Sequence, residues 1–212
     1  MWKKKSQKRR EERPFVRNKQ IRFISLGLTL IFAFCAEANH SFYFNNNLLL
    51  AQKQIYELRL DQSETILLEE RLRDEENSAI HYLLHFNAFS KAFISENPLD
   101  YTRYLKIRDK ALFHYNELPD TLAYKKYVQA DAYFYSAALK AKFEEFYGAA
   151  RDASKANNLI EENQKSFPDF LPNNKIRGIV KVYLSTVPDN YAWVVRLLGV
   201  HGDITEGLAL LR

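Results

Sequence analysis

One cysteine, Cys35, occurs in the 212-residue chain, so no intramolecular disulfide can form and no cluster of thiolates can hold a metal. Glycine and proline number six each, too few for the many tight turns of an all-β protein. No G-x-S-x-G, P-loop or G-x-G-x-x-G motif is present. Valine is scarce and no long run alternates with period two. The one strand-like window, 179–184, has helical neighbours and no partner strand, and it reads as helix. What the chain has is 47% hydrophobic and 27% charged residues, enough apolar material for a packed core and against wholesale disorder.

The net charge of +5 is unevenly distributed. Residues 1–38 hold ten Lys/Arg against Glu11, Glu12 and Glu37, which leaves 21 basic and 23 acidic residues in 39–212, a balance of −2. A body without a basic stripe does not fit phosphate-backbone binding, so no nucleic-acid partner is expected.

The basic stretch is followed by fourteen uncharged residues, Phe23 to Ala36. As a helix they span about 21 Å, short of the ~30 Å bilayer core. Ala36-Glu37-Ala38 then offers a small-x-small cleavage site. Together these features describe a secretory signal peptide over 1–38, with a body over 39–212. The basic region is long, which an early assigned start codon explains. Two alternatives keep the body at the membrane: an uncleaved anchor over 23–36, or a lipid on Cys35, although Phe34 is large for the position before a lipidated cysteine. Membrane contact is expected only through this segment. Asn39-His40-Ser41 matches a glycosylation sequon, a three-residue pattern that also arises by chance.

The body is helical throughout. Leu48, Ala51, Ile55 and their neighbours mark a helix near 43–59. Asp61, with Glu64 three residues on, predicts a capped second helix ending before Asp74. Ile80 to Phe93 forms a third, stopped by Asn97-Pro98, and a fourth runs over 98–118. Pro119 breaks the chain and Asp120 is placed to cap a fifth helix. A sixth ends at Phe167-Pro168-Asp169, and helices near 172–185, 189–198 and 203–211 follow. Helices joined in order by short turns pack as antiparallel hairpins.

Tyr133, Ala137, Ala149 and Ala156 fall at separations of 4, 12 and 7, the spacing of the tetratricopeptide repeat. Small residues at the crossing let two helix axes approach while aromatic rings fill the flanking grooves. Three departures stand out: Lys140 replaces an aromatic, Ala153 a large apolar residue, and the closing proline is delayed to Pro168. Gly178 and Gly207 take small positions in a later first and second helix, around an insertion from Val187 to Gly199.

On the segment Asn163 to Asn173 and the pattern Pro188, Tyr191-Ala192-Trp193, Leu198-Gly199, Gly202 and Gly207-Leu208, the chain resembles exported tetratricopeptide-like proteins of Gram-negative bacteria whose role is not established. It is more distantly similar to the eukaryotic tetratricopeptide family linked to inclusion-body clearance. The likeness covers about Tyr56 to Arg212 and implies an all-α fold of antiparallel hairpins stacked as a right-handed solenoid, exported to the periplasm or cell envelope. Members of the group look longer, and the apolar pattern up to Arg212 leads to the expectation of a truncated product.

His81 and His85 stand at i and i+4 on one helix face, a spacing that can ligate zinc or copper. Tyr82 replaces the glutamate of the metalloprotease motif, and a partly buried helix with polar edges accounts equally for the pair. His40, His114 and His201 stand alone, and the paired acids lie on solvated helix faces. The expectation is a non-catalytic scaffold or peptide-binding module with no cofactor or metal, taking a protein or peptide partner in a groove to which Tyr101, Tyr124 and Tyr135 are assigned. The alternatives are a membrane-anchored structural envelope component and a metal-dependent enzyme on the His81/His85 face.

Overall fold

The computed structural model describes residues 40–185 and 202–212. The chain divides into two units, Met1–Ala38 and Asn39–Arg212, and the second is described below. The signal peptide expected over 1–38 with Cys35, the helix expected over 189–198 and the insertion from Val187 to Gly199 lie outside the described residues.

The described residues are all-α, without a strand: α1 (Asn46–Tyr56), α2 (Leu60–Arg73), α3 (Ser78–Ser95), α4 (Pro98–Glu117), α5 (Tyr124–Lys142), α6 (Phe146–Ser166), α7 (Pro172–Ser185) and α8 (Ile204–Leu210). An isolated parallel bridge joins Ser41 to Asn77. The window 179–184 is helical and lies within α7.

Asparagine does much of the capping. Asn45, Asn77 and Asn97 each accept an early backbone N–H of α1, α3 and α4 through the side chain, and Pro98 occupies the first turn of α4. Two expected caps are not made. α2 begins at Leu60, so Asp61 already lies inside its first turn, where its carboxylate meets Lys91 at 2.8 Å. Glu64 closes no capping box and pairs with Arg103 instead. Asp120 sits in a turn closed by the Leu122 N–H on the Pro119 carbonyl, which delays α5 to Tyr124 and leaves Asp120 paired with Lys125 at 2.9 Å.

Each helix packs on the next in sequence, and α1 also meets α3, α3 meets α5, and α5 meets α7. The main core runs through this series from Leu48, Ala51 and Ile55 of α1 to Ile176 of α7. A second cluster gathers Ala92, Tyr101, Tyr104, Tyr135 and Leu139 from α3, α4 and α5. At the α5–α6 crossing Ala137, Ala149 and Ala156 are buried, so the small-residue spacing matches the contact surface. α7 and α8 approach through glycine on both sides: a Cβ on Gly178 would lie 2.8 Å from the Gly207 carbonyl oxygen, and one on Gly207 equally close to that of Gly178.

A repeated turn joins the two helices of each of the first three hairpins. Leu58, Glu96 and Glu144 hold positive φ of 59°, 52° and 62°, and in each case the following helix starts two residues later, at Leu60, Pro98 and Phe146. The left-handed residue reverses the chain and lets the next N–H groups reach back, as Arg59 does to the Gln54 carbonyl (2.8 Å) and Glu145 to that of Lys140 (2.7 Å). None of the three is glycine, so each carries a steric cost of about 1–2 kcal/mol. Leu58 is 65% exposed and its side chain does little packing. Leu58→Gly is therefore expected to stabilise the protein by about 0.5–1 kcal/mol, allowing for the greater freedom of glycine in the unfolded chain, with the denaturation midpoint as the measurement.

Candidate functional site

Of the three tyrosines assigned to a groove, two are closed off by neighbours. Tyr101 of α4 lies flat on Phe143, with ring centroids 4.4 Å apart. Tyr135 of α5 stacks on Phe89 at 4.4 Å and donates its hydroxyl to Asp131. Both belong to the second cluster and neither presents its ring to solvent. Tyr124, at the start of α5, is half-buried between Phe42, stacked at 4.5 Å, and Phe170, edge-on at 4.9 Å. The structure brings Tyr101 and Tyr135 together and leaves Tyr124 apart.

His81 and His85 share a helix face but not a site. His81 meets the Glu75 carbonyl through Nε2 (3.0 Å) and stacks on His114 of α4 with centroids 3.4 Å apart. His85 is fully buried, shares a hydrogen bond with the Tyr104 hydroxyl (3.1 Å) and lies against Tyr135. Burial disfavours the imidazolium at both: it lowers His81 to about 4, with a further contribution from nearby His114, and His85 to about 3. Both rings are neutral at pH 7. Among the described residues no three His, Cys, Asp or Glu side chains meet in a way that could hold a metal ion. His201 lies outside the described residues.

Sequence reasoning missed the most concentrated chemistry. Asp131 of α5 is 1% exposed. Its Oδ2 accepts from the hydroxyls of Tyr82 (2.9 Å) and Tyr135 (3.1 Å) and from Lys175 Nζ (2.8 Å), so one carboxylate joins α3, α5 and α7. Burial holds both hydroxyls well above the ordinary tyrosine value, the Asp131 charge adds to it, and both remain donors. Burial alone would lower the Lys175 amine. Asp131, with Tyr135 and Tyr127, outweighs that and raises it. A signal was present in the sequence: a charged residue at helical spacing from Tyr127, Val128, Phe134 and Tyr135, on an otherwise apolar face.

A second polar knot explains Lys140, which stands where the repeat pattern has an aromatic. Its ammonium reaches Asp152 Oδ2 of α6 at 2.6 Å, and the Ser136 hydroxyl donates to the same oxygen at 2.7 Å. Arg108 of α4 donates to Ser136 Oγ. The Lys140 stem fills the space beside Gly148, where a Cβ would come within 3.2 Å of it. Both knots are buried within helix packing. A solvent-facing cleft lined by Glu64, Asn87, Lys91, Asp100 and Arg103 encloses about 20 Å³, room for a water or two rather than a metabolite.

Among the described residues no helix is long and apolar enough to cross a membrane. Comparison with protein-family models, curated proteins and solved structures returns no match. The class defined by fold and site together is therefore an all-α protein of sequentially packed helices, crosslinked by buried polar groups.

Two outcomes follow from these networks. Asp131→Ala strands two buried hydroxyls and unpairs Lys175, and is expected to cost about 3 kcal/mol by chemical denaturation, against a smaller loss for Asp131→Asn. The histidine shifts fix the sign of an acid effect. An unfolded histidine takes its proton near pH 6.5, whereas the folded values at positions 81 and 85 are about 4 and 3. Stability is thus full above pH 6.5 and declines by a few kcal/mol as pH falls from there toward 3. His85→Phe should flatten part of that decline in denaturation midpoints measured at pH 7.5 and 4.5.

Proposed function

We propose that residues 39–212 form an open, right-handed, tetratricopeptide-like stack of hairpins, exported by the leader of residues 1–38 to the periplasm, and that this body is a non-catalytic scaffold binding a protein or peptide partner. The observation that carries the reading is the order of packing. First helices α1, α3, α5 and α7 meet in series, and among the described residues no substantial packing joins hairpins that are not neighbours. A sealed bundle would bring the ends of the series together. The recurring left-handed turn before α2, α4 and α6 supports the same stepwise geometry.

In such a stack the first helices line one face and supply the partner surface. Rings other than the buried Tyr101 and Tyr135 are accessible there. Tyr56 of α1 (67% exposed) meets Phe86 of α3 edge-on at 5.9 Å; Phe86 leads through Phe89 to Phe93, and half-buried Phe134 of α5 lies beyond. Ile94 beside Phe93 is 55% exposed, and the Lys142 ammonium sits 4.6 Å over the Phe93 ring. The same ammonium is paired with Glu96 at 2.7 Å, so the strip itself is what suits an extended peptide with apolar anchors.

The test is selection of peptides from a displayed random library on the full chain, followed by calorimetry. Peptides with apolar anchors are expected, weakened at least tenfold by Phe93→Ala, with the helical signal and melting temperature of the variant unchanged. Failure to enrich any sequence, or enrichment indifferent to Phe93 and Ile94, overturns the binding-module reading.

A further inference from the structure

A second device lies at the other end of α3, where the chain enters the body. Residues 40–45 run as a strap across the turn between α2 and α3. Ser41 N–H donates to the Glu76 carbonyl (3.3 Å), and Ser78 N–H donates to the Ser41 carbonyl (2.8 Å). Asn77 holds Tyr43 from both sides, its Oδ1 accepting from the Tyr43 N–H (3.3 Å) and its Nδ2 donating to the Tyr43 carbonyl (3.1 Å). The Tyr43 hydroxyl donates to Asp74. Under the strap, Phe42 covers Tyr124 and touches Tyr82 edge-on at 6.0 Å.

Three histidines from three elements meet beside this clasp. His81 of α3 and His114 of α4 stack with centroids 3.4 Å apart and planes within 13°. His40 of the strap stands edge-on to His114 at 6.4 Å and places Nδ1 3.0 Å from Glu76 Oε2. His81 ties to the Glu75 carbonyl, in the same turn that carries the clasp residues Glu76 and Asn77. The other charged groups acting here are the carboxylates of Glu75 and Glu76 and the guanidinium of Arg71 on α2. Neutral rings tolerate this stacking; a proton on His114 sets a cation against the buried, neutral His81 ring and beside His40, where burial disfavours a charge.

We propose that the His40–His114–His81 cluster is an acid-operated clasp: protonation parts the stack, loosens the turn at 75–78, and releases residues 40–45 as a strap from the body. The cluster favours this over a metal role because the two closest rings lie face to face, which turns their nitrogens away from a common point. Burial lowers His114, and nearby His40 lowers it further. His114 is only half-buried while His81 is buried, so His114 takes the first proton. The contact between His40 and Glu76 opposes release, and the stack must open against it. Release uncovers Tyr124 and Tyr82, the aromatic face now under Phe42.

The experiment is residue-resolved hydrogen exchange on the full chain at pH 7.5 and 5.0, corrected for intrinsic rates. Asp and Glu stay largely ionised across that interval. The reporters are the amides of Ser41, Tyr43 and Ser78. Their protection should fall at pH 5.0 at least tenfold more than that of α5 and α6 amides, which follow the global loss of stability, and His114→Phe, which keeps a ring in the stack without a proton site, should remove the excess. An imidazole titration by NMR gives the second readout: the strap amides of the unmodified protein must shift with the midpoint of His114. Protection that persists at pH 5.0, that falls together with α5 and α6, or that falls equally in His114→Phe overturns the clasp, as does a strap transition with a midpoint unlike that of His114.

Discussion

A carboxylate almost out of reach of water organises the middle of this protein. Asp131 on α5 cannot sit among Ala130, Ala132 and the surrounding rings unless its charge is matched, and the match comes from Tyr82 on α3, Tyr135 on its own helix and Lys175 on α7. Apolar contact is tolerant of rotation and sliding. A buried ion with three directed donors is not, so the registers of α3 and α7 against α5 are tied to one oxygen atom. The Asp152 knot does the same between α4, α5 and α6 through Arg108, Ser136 and Lys140. With no cysteine between residues 40 and 212, no disulfide fixes these registers, and the polar crosslinks supply that specificity.

The two ends of α3 differ in how far they are closed. At its C-terminal end, Phe93 and Ile94 stay exposed and continue an aromatic strip from α1 to α5. At its N-terminal end everything is closed: Asn77 caps the helix through Ala79 and also holds Tyr43, so one asparagine serves both a helix start and the strap. The histidines gather at this closed end. Neutral imidazole is a flat, half-polar group that buries well, and it is the side chain whose burial is most easily reversed by mild acid.

The helical elements were legible because their signals are local. The breaks at Pro98, Pro119 and Pro168 and the three-four spacing of apolar residues placed most helices within a few residues. The caps were less readable. Asp61 and Asp120 have the right chemistry and spacing, yet Lys91 of α3 and Lys125 of α5 draw both carboxylates away from the backbone. Asn45, Asn77 and Asn97, which do cap, carry no stronger local signal. Nor does any sequence rule mark Leu58, Glu96 and Glu144 as left-handed, because none is glycine.

Composition and periodicity by themselves determined an all-α chain of sequential hairpins with small residues at the α5–α6 crossing, since propensity, turn chemistry and alanine spacing act over a few residues. Tertiary structure alone decided which polar residues are spent inside. Tyr135 and Tyr101 pack inside the second cluster; Lys140 found its partner twelve residues away and Lys175 found its own forty-four away; three scattered histidines became neighbours. Such pairings depend on the angle and register at which helices cross, and those are set by the whole core rather than by any one stretch of chain.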